Sequence, residues 1–100
     1  MIRHIVMWKL KESAEGGTRA QNAQKMRELL ENCRDVAPGT HEFQVGIAAP
    51  GEASTYDVVL VSTFEDAAAL DAYQTHAEHE KAKSFIGKVR ESRQCVDYEI

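Results

Sequence analysis

Val58-Val-Leu-Val61 is an unbroken apolar stretch inside a longer run, Tyr56 to Phe64. The run is short and rich in β-branched residues, which marks a strand. An antiparallel strand with one wet face alternates apolar and polar residues. This one does not, so both of its faces must be covered. The first run of the chain says the same. Ile2, His4, Val6, Trp8 and Leu10 fall on one side of a period-two pattern; Arg3, Ile5, Met7 and Lys9 fall on the other. The first side is the more apolar and is expected to meet the core, which carries His4 inward. Ile5 and Met7 put apolar groups on the far side of the same sheet.

The remaining elements follow in order. Lys11 to Gly17 reads as a polar loop. Thr18-x-x-Gln21 reads as a capping box, with Ala23, Met26, Leu29, Leu30 and Cys33 behind it at helical spacing. Pro38-Gly39 stops that helix. His41 to Ala48 alternates, with His41, Phe43, Val45 and Ile47 on one face. Ala49 to Thr55 is a turn-rich loop. Asp66 suits the N-cap of a second helix carrying Ala69, Leu70, Tyr73 and Ala77, then Ala82, Phe85, Ile86 and Val89. The His76–His79 region is where that helix is open to interruption, and Gly87 weakens its later part. Gln94 to Ile100 alternates as a last strand. The order is β-α-β-β-α-β, an α+β, ferredoxin-like pattern: a four-stranded antiparallel sheet with two helices on one face. Residues 1–100 make a single domain. Helices cover one face of the sheet. The simplest cover for the other is a second copy of the chain, giving a homodimer.

Composition narrows the partners. Acidic residues outnumber basic ones, 16 to 12, and the net charge is -4. No basic stripe awaits a phosphate backbone, so nucleic acid is not an expected partner. No apolar run reaches the ~20 residues a membrane span needs. The apolar start is cut by Lys9 and Lys11 and lacks a small-residue cleavage site, so it is not read as a signal peptide. Cys33 and Cys95 form no CxxC pair. Both are expected to be buried free thiols of a cytoplasmic protein. Gly16-Gly17 lacks the Lys-Ser/Thr of a phosphate-binding loop and reads as a turn.

Chemistry concentrates in Tyr73-Gln-Thr-His-Ala-Glu-His79. Two of the chain's four histidines are here, beside a phenol. Imidazoles change charge near neutral pH, and a phenol can donate a proton or a hydrogen bond. A plainer reading stands beside this one. Tyr73 and His76, three apart, can simply pack, and an inward His4 can be a satisfied core residue. A metal site built from His76, His79, Glu80 and His4 lacks the i, i+4 spacing of zinc helices and any cysteine ligand set, so no metal is expected.

The opening Ile2-Arg-His-Ile-Val-Met-Trp-Lys-Leu10, the segment Tyr73-x-x-His76-x-x-His79 and the closing Asp97-Tyr98 resemble the stress-responsive α/β-barrel (Dabb) family. The resemblance spans essentially the whole chain. Ala77 departs from it, standing where the family usually has proline. The resemblance implies homodimers in which two ferredoxin-like sheets face each other as a barrel. It also implies a model for the chemistry, because a polyketide cyclase of the family closes its substrate by an aldol reaction without a cofactor. Tyr73 and His79 match its acid/base pair, and His4 and His76 match positions that line its pocket. The expected ligand is a small, largely apolar molecule bearing a carbonyl or phenol, met by cofactor-free, cyclase- or lyase-like acid/base chemistry. Two rivals remain: a non-catalytic carrier or stress-related dimer, and a cofactor-free monooxygenase. The enzyme and carrier readings require a cavity between sheet and helices.

Overall fold

The alternation of the first run is realised as strand β1, Ile2–Leu10, at the centre of the sheet. The computed structural model describes residues 1–100. A two-stranded ribbon follows, β2 (Ser13–Ala14) and β3 (Gly17–Thr18), where the sequence suggested only a loop. Then come helix α1 (Arg19–Glu31), β4 (Thr40–Ile47), β5 (Val58–Phe64), α2 (Ala67–Gln74), α3 (Ala77–Val89) and β6 (Arg90–Glu99). The main sheet runs β4-β5-β1-β6, and each neighbouring pair is antiparallel. This is the ferredoxin-like arrangement, with the second helical segment in two pieces. No helix is long and apolar enough to cross a membrane.

Local chemistry explains the ends of the helices. The Thr18 hydroxyl accepts from the Gln21 amide N–H at 3.2 Å, and the Gln21 side chain accepts from the Thr18 N–H at 2.9 Å, so the capping box is complete. Asp66 accepts from the Ala69 N–H at 2.9 Å at the start of α2. α2 stops at Thr75, whose hydroxyl donates to the Asp71 carbonyl. His76 is extended, and its Nδ1 accepts from the Glu78 N–H at 3.1 Å, capping α3. The helix therefore breaks sharply with Ala77 in place of proline: one side chain closes the first piece and the next opens the second.

Val6, Trp8, Leu10, Met26, Leu30, Phe43, Leu60, Phe64, Tyr73, Ile86 and Val89 form one buried core between the sheet and the helices. Burying a side chain of this size contributes about 1.5–3 kcal/mol each, which makes this face the main source of stability. The other face carries no helix. There Ile5 pairs with Val61 and Met7 with Val59, all only half-buried. Val96, opposite Ile5 on β6, is 54% exposed. Apolar groups thus run across three strands of an uncovered face.

Three expectations need correction. Cys95 is exposed, not buried. Its strand lies at the sheet edge and packs mainly on β1, beyond the cover of the helices. His41 does not share the inward face with Phe43 and Val45. The register slips between Thr40 and Glu42, and the bulge leaves His41 exposed. The last strand also begins at Arg90, earlier than the alternation from Gln94 suggested, because the chain turns extended immediately after Val89.

Gly39 makes the turn into β4 with φ +87°, and a Cβ there would lie 3.1 Å from the Ala69 Cβ. Gly39→Ala should lower unfolding stability by about 2 kcal/mol, the combined cost of left-handed backbone and crowding. Urea denaturation measures it; an unchanged midpoint would mean that this turn relaxes freely.

Candidate functional site

A cavity of about 520 Å³ lies between the sheet and the helices. That is within the usual size of a small-molecule site. β1 supplies His4, Val6 and Trp8 to one wall, and α1 and β5 supply Leu30 and Leu60. Tyr73 comes from the end of α2; His79, Ala82, Lys83 and Ile86 come from α3; Arg90 and Arg93 come from the start of β6. Apolar and polar residues share the lining about equally, with Val6, Trp8, Leu30, Leu60, Ala82 and Ile86 among the former and His4, Tyr73, Gln74, His79, Lys83, Arg90 and Arg93 among the latter.

His4 is 2% exposed and Tyr73 1%. The two rings meet edge to face with centroids 6.2 Å apart. Tyr73 and His79 are closer, 4.8 Å, also edge to face. Phe43 and Phe64 hold the other sides of the Tyr73 ring, at 5.8 and 5.2 Å, which fixes its orientation. Nδ1 of His4 hydrogen-bonds Asp97 Oδ1 across the β1–β6 pair. A carboxylate on one imidazole nitrogen holds the proton there and leaves Nε2 for the cavity. The Ser62 hydroxyl donates to the His4 carbonyl at 2.9 Å, bracing the same residue through its backbone.

Burial moves the two candidate acid/base groups in useful directions. Desolvation pushes the Tyr73 phenol well above its ordinary value, helped by the nearby Cys33 and opposed by Arg93. It therefore stays protonated and can act as a donor. Desolvation pulls His79 below its ordinary 6.5; Lys83, His4 and Arg93 add to this, and Glu80 opposes it. Its ring is neutral at pH 7 and able to accept a proton, and its Nδ1 is buried with no hydrogen-bond partner in the fold.

Three of the residues singled out by the sequence, His4, Tyr73 and His79, come together at the cavity. His76 does not line it, and its Nδ1 is occupied as the α3 cap. Nor do His76, His79, Glu80 and His4 gather as a donor set. The donors that do lie together, within 4.8 Å of one another, belong to His4, Cys95 and Asp97. There the His4–Asp97 hydrogen bond holds one proton. Although Cys95 is exposed as a residue, partial desolvation of its thiol by the neighbouring side chains, followed by the charge of Asp97, raises it above its ordinary value and holds another. A metal ion would have to displace both, so the chemistry of this set does not favour one. The sequence reading missed Asp97 as the partner of His4, because that contact depends on the register of the first strand with the last. It also missed Trp8, Lys83, Arg90 and Arg93 as cavity residues.

The family model described as the Stress responsive A/B Barrel Domain matches residues 2–100. No curated protein matches the chain significantly. Among solved structures, a dimeric protein of unknown function and ferredoxin-like fold from Bacteroides fragilis is similar, with 30% identity and a TM-score of 0.83, over 99% of this chain and 95% of that one. A dimeric ferredoxin-like protein from Jannaschia sp. has 28% identity and a TM-score of 0.75, over 99% and 98%. A hydroxynitrile lyase from Passiflora edulis shares the fold at 20% identity and a TM-score of 0.73, over 99% and 92%.

The lowered value of His79 has a stability consequence. Its unfolded-state value is near 6.5 and its folded value is lower. Between the two, the unfolded chain binds more protons, so stability rises with pH. This contribution is complete above 6.5 and is lost as pH falls through the folded value. The urea midpoint of the protein should fall on acidification below pH 6.5, and His79→Gln should flatten that part of the curve. A His79→Gln curve parallel to the parent's would show that burial does not control this group.

Proposed function

The chain belongs to the stress responsive A/B barrel family, and from that premise we propose that it is a homodimer that binds a small, largely apolar, carbonyl- or phenol-bearing molecule and transforms it by cofactor-free acid/base chemistry. The observation that carries this reading is the convergence of His4, Tyr73 and His79 on one cavity between sheet and helices. His79, neutral and half-buried, is the base that takes a proton from carbon next to a carbonyl. Tyr73, held protonated, donates to the oxygen on which negative charge develops. His4, oriented by Asp97, lines the same space and positions the substrate oxygen. His76 acts at one remove, by starting the helix that carries His79. The hydroxynitrile lyase among the structural relatives supports catalysis on this fold without deciding the reaction.

Dimerisation rests on the uncovered apolar face, and the dimeric relatives support it. Ile5, Met7, Val59 and Val61 are the residues that a second copy would bury. The unpaired thiols of Cys33 and Cys95 support a reducing compartment such as the cytoplasm.

Two experiments test this reading. The first incubates the protein with 4-butylacetophenone in D2O and follows deuterium entry next to the carbonyl by NMR. The parent should exceed buffer. Tyr73→Phe and His79→Ala should each lower the rate by about 10²-fold, the typical worth of a positioned acid or base, while the ketone still binds. Binding without exchange would replace the enzyme with a carrier. The second is sedimentation velocity: a species of twice the chain mass is expected, and Val59→Asp should split it, since an unpaired buried charge is costly. A monomeric parent protein would remove the dimer from the proposal.

A further inference from the structure

The cavity is electrically lopsided. Lys83, Arg90 and Arg93 all line it, and no aspartate or glutamate does. This runs against the balance of a chain whose net charge is -4. Six basic side chains elsewhere find acidic partners, among them Arg3 with Glu42, Lys9 with Glu91, Arg34 with Glu31 and Lys81 with Glu78, while Lys11 rests on a backbone carbonyl and Lys25 on the Phe85 ring. The three at the cavity form no ion pair with the protein. Asp97, the carboxylate on the same edge, is engaged by His4. Glu80 is exposed on α3 and does not line the cavity.

Depth matters as much as sign. His4 and Tyr73 are buried at the inner end, while Lys83, Arg90 and Arg93 are exposed. The cavity therefore has a protonated donor and a neutral base within, apolar walls of Trp8, Leu30 and Ile86, and cations at its rim. Arg93 is close enough for its charge to act on both Tyr73 and His79, and that of Lys83 acts on His79. The rim and the inner groups line one and the same cavity.

Building on the cavity reading above, we propose that the natural ligand is an organic anion, an apolar body ending in a carboxylate, with the carboxylate at Lys83, Arg90 and Arg93 and the carbonyl or phenol against Tyr73 and His79. Guanidinium groups bind carboxylates through paired, charge-assisted hydrogen bonds, and a lysine adds a mobile point charge. Anchoring the charged end at the rim leaves one orientation for the molecule, with its reactive oxygen inward. The apolar middle then lies on Trp8 and Ile86 and is dried by them.

The test uses matched probes of equal length, 4-butylbenzoate and 4-butylacetophenone, titrated calorimetrically into the full chain while the ring signals of His4 and His79 are followed by NMR. The carboxylate should bind about tenfold more tightly than the ketone, a difference one well-placed charged contact supplies. Salt should erode that advantage, because the rim is exposed. Arg93→Gln and Lys83→Gln should each reduce it. Lys88→Gln, which removes the same charge outside the cavity, should not. If Arg93→Gln fails to fold, Lys83→Gln, on the exposed side of α3, decides alone. Equal affinities, with both rings responding, would overturn the anion while leaving the cavity as a binding site. A carboxylate preference untouched by either rim substitution would overturn it as well. If neither probe moves the rings, the anion and the cavity reading fall together.

Discussion

β1 is hydrogen-bonded along both edges, to β5 and to β6, and its inward residues serve both core and site. Val6, Trp8 and Leu10 anchor the packing, while His4, Val6 and Trp8 also form a cavity wall. A one-residue slip against either neighbour would turn every inward side chain of β1 outward. The core would lose its central row, and His4 would lose Asp97. Stability and site geometry therefore rest on the same register. The apolar wall cannot be loosened without moving the imidazole.

The break between α2 and α3 is the second requirement. On one continuous helix, Tyr73 and His79, six residues apart, would point about 120° away from each other. Thr75 closes α2 and His76 opens α3, so the two helices take separate directions. Both side chains can then face the cavity, with their rings 4.8 Å apart. This gives His76 a physical reason to be histidine without touching a ligand: its Nδ1 accepts the Glu78 N–H, as an Asp or Ser cap would. The sequence motif thus combines residues of two kinds, two that face the cavity and one that shapes the backbone between them.

What was legible in the sequence was local. Period-two patterning placed His4, Val6 and Trp8 inward. Thr18-x-x-Gln21 and Asp66 marked the helix starts, and the two-sided apolar pattern of Ile5, Met7, Val59 and Val61 announced an uncovered face. What stayed hidden depends on pairing between distant parts of the chain. Asp97 meets His4 across 93 residues. Cys95 and Val96 share the edge strand, and alternation alone does not say that neither side of it is well covered. His41 fits the alternation but is thrown out by a bulge, a feature of how β4 meets β5. Arg90 and Arg93 carry no local signal of their place, because a cavity rim is made by folding and has no period of its own.

The site also works against the stability of the domain. A nearly dry phenol, a nearly dry imidazole and a second imidazole with an unpartnered buried nitrogen occupy the place where a small domain would gain most from aliphatic packing. An unsatisfied buried polar atom costs about 1–3 kcal/mol, a sizeable share of the 5–15 kcal/mol that holds a typical domain together. The fold offsets part of this locally, through Asp97 on His4 and the aromatic rings around Tyr73. The uncovered face suggests where more can come from. Val59, Val61, Ile5 and Met7 are only half-buried within one chain and Val96 is exposed, so covering them would add stability that owes nothing to the cavity. Packing on one side of β1 and β5 can thus support polar groups on the other, and a two-faced sheet lets a chain of 100 residues keep a hollow, partly polar interior.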